Sequence, residues 1–279
     1  MASRRRAPVE DFYDDHPISV EHVLASVRER GRGLAAPLRA DDLFDFDQDH
    51  YGGIAAVDAL ATRARIGARS RVLDVCAGLA GPARFLAARR GCRVLAVELH
   101  AGRARGARRL TAFVRLDDRV RVVRGDATRL PVRTGSCDAG ISQEALLHIE
   151  DKAAVLAECR RALVPGGRLA FTDWVARPRL DDGERTRLRE WMAATTLQTL
   201  EGYRGMLGRA GFSDIHAEDL SDDWRAILRG RLEMYAGMRR ERARQVGEDR
   251  YDAFLRVYTF FARLVEAGKL GGGRFVAIA

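Results

Sequence analysis

The sequence has 279 residues, of which 47% are hydrophobic, and its formal net charge is +9. This length suits one large α/β domain with added segments and is short for two independent domains. Only two of the 48 basic residues are lysines, which indicates an arginine-rich coding bias more than a nucleic-acid site, although a basic protein still attracts anions through its overall field.

Cysteine spacing and apolar segments narrow the class of protein further. The four cysteines, at positions 76, 92, 137 and 159, form no CxxC pair and no zinc-like spacing, so we expect no metal site. The opening stretch MASRRRAPVEDFYDD has basic residues but no apolar run after them, unlike a secretory signal. No stretch approaches the ~18 apolar residues of a membrane span. We therefore expect a soluble, cytoplasmic protein that does not bind membranes; the sequence does not indicate its oligomeric state.

From residue 70 onward, short apolar runs alternate with helical patterns. Predicted helices cover 82–90, 101–115, 151–163 and a region near 184–200, and predicted strands cover 71–75, 92–99, 120–125, 137–142, 167–174, 212–220 and 274–279. Because the strands are largely apolar on both faces, helices should cover both sides of the sheet. The pattern predicts an α/β fold with a doubly wound, mostly parallel, seven-stranded sheet.

Two other segments look helical and depart from this alternation. We expect an N-terminal helical lid with an acidic loop at 1–69, a core at 70–220, a helical lid insert at 221–267 and the last strand of the sheet at 268–279. Both lids could cover the carboxyl ends of the strands, where ligands bind in open α/β sheets. The acidic loop (DDLFDFDQDHYGG, 41–53) could attract a cationic acceptor, although an acidic run is more often a solvated loop.

Successive predicted strands end in polar or acidic residues. Strands one and two end at Asp74 and Glu98, strand three at Asp126, strand four at Glu144 and strand five at Asp173. Because the carboxyl ends of parallel strands meet at one edge of a sheet, these side chains should lie along a common edge. The turn after the first strand reads C-x-G-x-x-G at 76, 78 and 81, where a dinucleotide-binding turn has G-x-G-x-x-G.

Two cofactors could use this edge. Glu98 lies 20 residues after Gly78, a spacing that permits NAD. Asp74, just before the turn, would repel a pyrophosphate but suits a ligand with a cationic amino-acid end and an adenine end, such as S-adenosylmethionine. Cys76 and Ala80 are tolerable in the turn if they keep φ below zero, whereas the backbone at Gly78 must approach the ligand closely.

The stretch VLDVCAGLAGPARFLA resembles the first motif of class I S-adenosylmethionine-dependent methyltransferases. The similarity continues through Glu98, GDA at 125–127, LP at 130–131 and CDAGISQEALLHIEDKAAVLAECRRALVPGGRLAFTDW at 137–174. It is greatest to the small-molecule branch, which includes sarcosine/dimethylglycine and phosphoethanolamine N-methyltransferases and related natural-product enzymes. The resemblance implies a Rossmann-like methyltransferase fold with S-adenosylmethionine as cofactor.

The resemblance also implies a role for several residues at the strand ends. Glu98 would accept both ribose hydroxyls, since a carboxylate has two oxygens. Asp126 would accept from the adenine amino group, with the Ala127 N–H serving a ring nitrogen. Asp74 would favour the methionine ammonium. The further cofactor-binding positions are Tyr51, Cys76, Ala77, Gly78, Gly81, Leu99, Arg103, Gly125, Gln143, Glu144 and His148.

His148, Asp173 and Tyr51 are the candidate catalytic residues. Related enzymes place a histidine near the acceptor, and Asp173 could orient the His148 ring so that the pair removes the acceptor's proton. Alternatively His148 is only a packed histidine, because aligned transfer to a neutral amine does not require a base. Tyr51 lies in a tyrosine–glycine element that closes over the methionine end in related enzymes; it contacts the sulfonium region or the acceptor, or it packs on the lid.

The predicted function is methyl transfer to a small-molecule acceptor by direct SN2 displacement, with a nitrogen, such as that of an amine, as the favoured target. An O- or C-methyltransferase of a natural product is the alternative. The seven arginines of 225–245 either form solvated lid faces or hold a phosphate- or carboxylate-bearing acceptor.

More distant alternatives are an NAD-dependent oxidoreductase, an RNA-modifying protein and a catalytically inactive binding module. The N/D-P-P-Y/F/W element, which base-modifying relatives often carry after strand four, is replaced here by SQEA. We therefore expect no nucleic-acid partner.

Overall fold

The described residues form a seven-stranded sheet. The computed structural model describes residues 9, 12, 13, 18–32 and 38–279, so part of the predicted N-terminal lid lies outside the described residues. The strands are β1 Arg71–Val75, β2 Arg93–Glu98, β3 Val120–Arg124, β4 Cys137–Gln143, β5 Leu163–Ala176, β6 Ser213–Asp219 and β7 Leu270–Ile278. Their order in the sheet is β3-β2-β1-β4-β5-β7-β6. Neighbouring strands pair in parallel except β7, which is antiparallel to β5 and β6.

Helices cover both faces of this sheet. Within the described residues they are α1 Val20–Glu29, α2 Gly53–Arg63, α3 Gly81–Arg90, α4 Ala101–Phe113, α5 Lys152–Ala162, α6 Asp182–Met192, α7 Leu200–Arg209, α8 Ser221–Val246 and α9 Glu248–Glu266. Short 3-10 turns lie at Ala40–Asp42 and Leu146–His148. The predicted doubly wound, mostly parallel α/β fold is confirmed. The strand order reverses between β1 and β4, which opens a crevice at their carboxyl ends.

The core has one layer on each side of the sheet, and alternate residues of β1 divide between them. Val72 packs with Leu60 of α2 and Leu86 of α3, whereas Leu73 packs with Leu156 of α5 and Leu207 of α7. This alternation is the two-residue period of a strand buried on both faces. It holds the strand ends, and the residues that follow them, in fixed positions.

The predicted helix near 184–200 is wrong in its second half. The helix ends at Met192, and Ala193 takes a left-handed backbone with φ of +51°. The chain then runs beside β5, where Gln198 bridges Val175. A new helix starts after Thr199, whose hydroxyl caps it by accepting from Gly202 N at 2.9 Å.

The predicted helical insert at 221–267 is a pair of helices, α8 and α9, between β6 and β7. They are separated at Gly247, whose φ is +94°. Their apolar sides form a third core with the end of β5, in which the Trp174 and Trp224 ring centroids are 5.0 Å apart. The division of the chain into lids and core at the boundaries given above stays a prediction.

Two features of the described residues bear on membranes and metals. None of the helices there combines the length and the apolar character needed to cross a bilayer. That part of the chain also contains no group of three or more His, Cys, Asp or Glu side chains that could hold a metal ion.

Candidate active site

The turn between β1 and α3 has three residues with left-handed backbone. The φ angles are +60° at Cys76, +58° at Gly78 and +59° at Ala80. The expectation that Cys76 and Ala80 keep φ below zero is therefore wrong. Backbone hydrogen bonds hold the turn in this shape: Ala77 N donates to Val97 O at 3.0 Å, and Ala80 N donates to Ala77 O at 2.7 Å. Left-handed backbone costs L-residues roughly 1–2 kcal/mol each, so the turn stores strain.

Two glycines of this turn leave no room for a side chain unless a neighbour moves; at Gly78 that neighbour is the end of the Arg103 side chain, whereas at Gly81 it is backbone. A Cβ at Gly78 would lie 2.9 Å from Arg103 Nη2, and a Cβ at Gly81 would lie 2.1 Å from the backbone oxygen of Asp47. Gly81 therefore lets the start of α3 pack directly on the acidic loop. Gly78 keeps the turn open beneath the Arg103 guanidinium.

Two buried carboxylates face the turn. Asp74 is 3% exposed, and its Oδ2 atom has no hydrogen-bond partner. Glu98 Oε2 accepts from Gly78 N at 2.8 Å, and Glu98 Oε1 accepts from His100 N at 2.7 Å. Burial, together with the nearby Glu98, raises the pKa of Asp74 to about 8. The arrangement favours a cationic ligand, because a cation would stabilise the ionised Asp74.

The five aspartates of the acidic loop all pair with arginines. The N–O distances run from 2.5 to 3.1 Å for Asp41–Arg89, Asp42–Arg32, Asp45–Arg30, Asp47–Arg84 and Asp49–Arg103. The side chains of Asp47 and Arg84 are completely buried. The Asp47–Arg84 pair anchors the loop to the core, whereas the side chains of Asp41 and Asp45 are exposed, as in a solvated loop. Attraction of a cationic acceptor by the loop stays a prediction.

Arg103 of α4 crosses the glycine turn and joins it to two other segments. Its Nη2 donates to Asp49 Oδ2 at 2.6 Å, and its Nη1 donates to Ile18 O at 3.4 Å. Its guanidinium carbon lies 4.5 Å from the centroid of the Tyr13 ring, a cation–π contact. The wall above Gly78 is thus built from three distant parts of the chain.

His148 lies in the 3-10 turn after β4 and is oriented through both ring nitrogens. Nδ1 lies 3.1 Å from Ala193 O, and Nε2 lies 3.2 Å from the Tyr13 hydroxyl. Because a carbonyl oxygen only accepts, Nδ1 carries the proton, and Nε2 of the neutral ring accepts from Tyr13. The sequence alone does not identify Tyr13 as a site residue, because its contact with His148 spans 135 positions and no local motif includes it.

Asp173 does not orient His148, so the predicted histidine–carboxylate pair is wrong. The Asp173 side chain is fully buried and accepts from the Tyr203 hydroxyl and from Leu147 N at 3.3 Å. Burial raises the pKa of Asp173 to about 6. The side chain faces α7, on the far side of its strand, and supports the backbone beside His148. The carbonyl group of Ala193, and not the Asp173 carboxylate, orients the His148 ring.

The ring of Tyr51 packs on the lid, which was one of the two sequence interpretations. Its centroid lies 5.5 Å from that of Trp174 and 5.0 Å from that of Trp224, and the Arg231 guanidinium lies 4.7 Å above it. Its backbone N–H points to the site instead and donates to both carboxylate oxygens of Glu144, at 2.9 and 3.1 Å.

The end of β4 supplies two further predicted residues to the site. Burial raises the pKa of Glu144 to about 8 and lowers the pKa of His50 to about 4. Gln143 Nε2 lies 3.1 Å from His50 Nδ1, while Gln143 Oε1 is buried without a partner. The cavity at the strand ends is lined by Tyr13, Asp49, His50, Asp74, Cys76, Ala77, Gly78, Gly81, Arg103, Gln143 and Glu144, among others.

The remaining predicted cofactor residues follow β2 and β3 along the same edge. Asp126 is exposed, and its Oδ1 accepts from Thr128 N at 2.9 Å and from the Thr128 hydroxyl at 2.8 Å. Leu99 is 36% exposed, whereas Ala127 is buried. At Gly125 a Cβ would meet the Pro131 ring at 2.8 Å.

A 3-2-1-4-5-7-6 sheet with a glycine turn after β1 and acids ending β1 and β2 defines a class I S-adenosylmethionine-binding fold. A family described as "Methyltransferase domain" matches residues 73–171. The chain therefore carries a methyltransferase domain over these residues and is similar to the class I S-adenosylmethionine-dependent methyltransferases. Of the two cofactors that the strand-end acids allow, S-adenosylmethionine is therefore the one supported.

Individual relatives agree with this assignment. The glycine/sarcosine/dimethylglycine N-methyltransferase of Actinopolyspora halophila is 31% identical over 216 residues, which are 77% of this chain and 38% of the relative. The sarcosine/dimethylglycine N-methyltransferase of Halorhodospira halochloris is 32% identical over 155 residues, 56% of either protein. The chain thus spans less than two thirds of the length of these relatives.

A solved structure shows the same fold. The Haemonchus contortus phosphoethanolamine N-methyltransferase 2 in complex with S-adenosyl-L-methionine matches 99% of this chain and 61% of its own, with a TM-score of 0.80 and 20% identity.

The residues at the strand ends fit S-adenosylmethionine in charge and hydrogen bonding. The unpartnered Asp74 oxygen suits the ammonium group. Glu98 keeps lone pairs for ribose hydroxyls beyond those used by Gly78 and His100. Asp126 and Leu99 leave an accessible edge for the adenine. The bound cofactor supplies an electrophilic methyl group, and the protein supplies binding and alignment.

Proposed function

We propose that this chain transfers the methyl group of S-adenosylmethionine to a nitrogen of a small-molecule acceptor by direct displacement. The observation that carries the proposal is the buried Asp74 oxygen, which has no hydrogen-bond partner among the described residues and lies beside a turn in which Gly78 takes a left-handed backbone. A buried ionised carboxylate is costly without a compensating charge. The ammonium end of the cofactor would supply that charge.

Nitrogen is favoured because the relatives reported above are named N-methyltransferases. A nitrogen attacks carbon only through a free lone pair, so an ammonium acceptor must first lose a proton. In the neutral ring, Nε2 of His148 would take that proton once the Tyr13 hydroxyl moves away from it.

Release of S-adenosylhomocysteine from the purified chain tests the proposal. We expect release with a set of small primary, secondary and tertiary amines, and none with phenols or prenyl acceptors. Release only with phenols or prenyl acceptors would establish the O- or C-methyltransferase alternative. Failure to bind S-adenosylhomocysteine in a thermal-shift assay would refute the proposal at its first step. The cytoplasmic location and the absence of a nucleic-acid partner stay predictions.

Replacing His148 tests its role as the base. We expect His148→Ala to lower kcat by at least about 100-fold, in the range lost with a general base, while S-adenosylhomocysteine still raises the Tm. His22→Ala, on α1, is the matched control and should leave kcat unchanged. A kcat for His148→Ala within a few-fold of the parent would show that His148 only packs.

A further inference from the structure

A second cavity, of about 510 Å³, opens on the face of the sheet formed by β5, β7 and β6. It shares no lining residue with the active-site cavity. Its charged or titratable lining residues are Arg63, Arg168, Arg204, His216, Glu218 and Arg274. The volume lies within the range of small-molecule sites in proteins.

Strand register explains why these groups share one face. Arg274 of β7 pairs with Thr172 of β5 and with Glu218 of β6. Arg168 of β5 pairs with Ile278 of β7, four residues along each strand from the pair of Thr172 and Arg274. Residues two apart in a strand point to the same side of the sheet. The opposite side carries Phe171 and Phe275, which stack with ring centroids 4.8 Å apart under α7. Arginines thus occupy strand positions where a helix-covered sheet would carry apolar residues.

The cationic groups of this cavity outnumber its acids. Four guanidinium groups line it against one carboxylate, Glu218. A single atom, Glu218 Oε2, accepts from Arg63 at 3.1 Å and from Arg274 at 2.8 Å. Arg274 is largely buried, and its Nε atom has no hydrogen-bond partner. Arg168 is half-buried and makes no side-chain hydrogen bond or ion pair with any described residue.

Two acidic residues outside the cavity lining contact groups at its edge, but they do not remove its excess of positive charge. Arg204 lies 3.6 Å from Glu201 on the exposed side of α7, which uses only part of its guanidinium. His216 Nε2 lies 3.0 Å from Asp214 Oδ1, outside the lining. One carboxylate therefore neutralises one of the four guanidiniums within the cavity, and the others still repel one another.

We propose that this cavity is a binding site for a small multivalent phosphate anion, of the size of pyrophosphate. Guanidinium groups donate in a planar fork that matches phosphate oxygens bidentately. Such an anion would take the donors of Arg168 and relieve the repulsion between Arg63 and Arg274. The volume admits two linked phosphate groups, and their charge matches the excess of guanidinium groups over carboxylates better than a single phosphate does.

Titration calorimetry of the full chain with inorganic pyrophosphate tests this site. We expect saturable binding at one site and at least about tenfold weaker binding for Arg168→Ala, as for loss of a charged hydrogen-bonding group. Because Arg168 makes no side-chain hydrogen bond or ion pair with any residue that the structure describes, its removal should leave the fold intact. Arg121→Ala is the control: Arg121 is likewise a strand arginine, exposed on β3 at the other end of the sheet, and its loss should change the affinity less than twofold.

Three results would overturn the proposal: no saturable binding, equal weakening by Arg121→Ala, or binding of an RNA oligomer through Arg168 with none of pyrophosphate. Equal weakening would mean that only the overall field of the protein attracts the anion. A thermal shift with S-adenosylhomocysteine separates this proposal from the methyltransferase function, because the variants Arg168→Ala and Arg121→Ala should both keep the shift of the parent protein. Pyrophosphate should bind whether or not S-adenosylhomocysteine is present.

Discussion

Cys76 and Ala80 adopt backbone angles that glycine adopts at lower cost, whereas Gly78 between them has a second reason to be glycine. A β-branched residue at Gly78 would combine left-handed strain with a collision against Arg103. We therefore expect Gly78→Val to abolish the thermal shift with S-adenosylhomocysteine. Cys76→Gly and Ala80→Gly should keep the shift and change the free energy of unfolding by less than about 1 kcal/mol, because relief of strain offsets the lost side chain.

Gly135 provides the control for strain alone. Its φ is +59°, and a Cβ there would meet nothing within 4 Å. Gly135→Val should lower the free energy of unfolding in urea but leave the shift with S-adenosylhomocysteine intact. Loss of cofactor binding in Cys76→Gly would contradict this account of the turn.

The residues of the site were predictable from sequence to the extent that local motifs carry them. Asp74, Gly78 and Glu98 follow from strand ends and a turn, and the structure brings them together. The partner of His148 did not follow, because Tyr13 comes from a distant segment without a motif. Asp173 was misassigned because its strand is buried on both faces, so the sequence does not show which way an isolated polar side chain points.

The ion pairs of the acidic loop differ in burial, and we expect their energies to differ accordingly. The side chains of Asp47 and Arg84 are 0% exposed, whereas those of Arg89 and Asp41 are 51% and 43% exposed. Asp47→Ala should lower the free energy of unfolding by about 3–5 kcal/mol, because it leaves the Arg84 charge buried without its partner. Asp41→Ala should cost at most about 1 kcal/mol.

A double variant separates burial of the charge from the anchoring of the loop. Replacing both partners, with Asp47→Leu and Arg84→Met, should recover much of the stability lost in Asp47→Ala, since no charge is then left unpaired. Urea denaturation of the single and double variants measures this. Equal losses for Asp47→Ala and Asp41→Ala would show that the buried pair has no special weight.

Whole elements were predicted well where burial dictates the pattern. The seven strands lie within a few residues of the apolar runs, because a covered sheet needs apolar residues on both faces. The break at Ala193 was missed, since an alanine with left-handed backbone has no signature in sequence. The pairing of Asp47 with Arg84 was missed because the two lie 37 positions apart and meet only once α3 packs on the loop.

For the molecule as a whole, several buried groups bind protons differently in the folded and unfolded chain. The pKa of Asp173 is raised to about 6, that of His50 is lowered to about 4, and that of Lys152 is lowered to about 8. As the pH rises, Asp173 and His50 change the free energy of unfolding in opposite directions, and both effects end near pH 6.5. The effect of Lys152 on the free energy of unfolding begins near pH 8. Between these limits the pKa values of Asp74 and Glu144, both about 8, act together, and burial raises the pKa values of Glu98 and Asp47 in the same direction.

In that window the folded chain holds protons that the unfolded chain has already lost. The free energy of unfolding should therefore fall as the pH rises from 6.5 to 8, by on the order of 1–3 kcal/mol. S-adenosylhomocysteine should reverse part of this trend, because its ammonium favours the ionised Asp74. We expect the rise in Tm that it causes to grow over the same window.

Asp74→Asn tests whether the active-site carboxylate carries this behaviour. The variant has no charge to bury, so the ligand-free protein should be more stable than the parent at pH 8, lose stability less steeply from pH 6.5, and show no thermal shift with S-adenosylhomocysteine. Asp117→Asn, at an exposed position after α4, should follow the parent in all three. Because burial of Asp74 is costly only while its charge lacks a partner, an unchanged pH profile in Asp74→Asn would place the proton uptake elsewhere and remove the main support for a cationic ligand at this site.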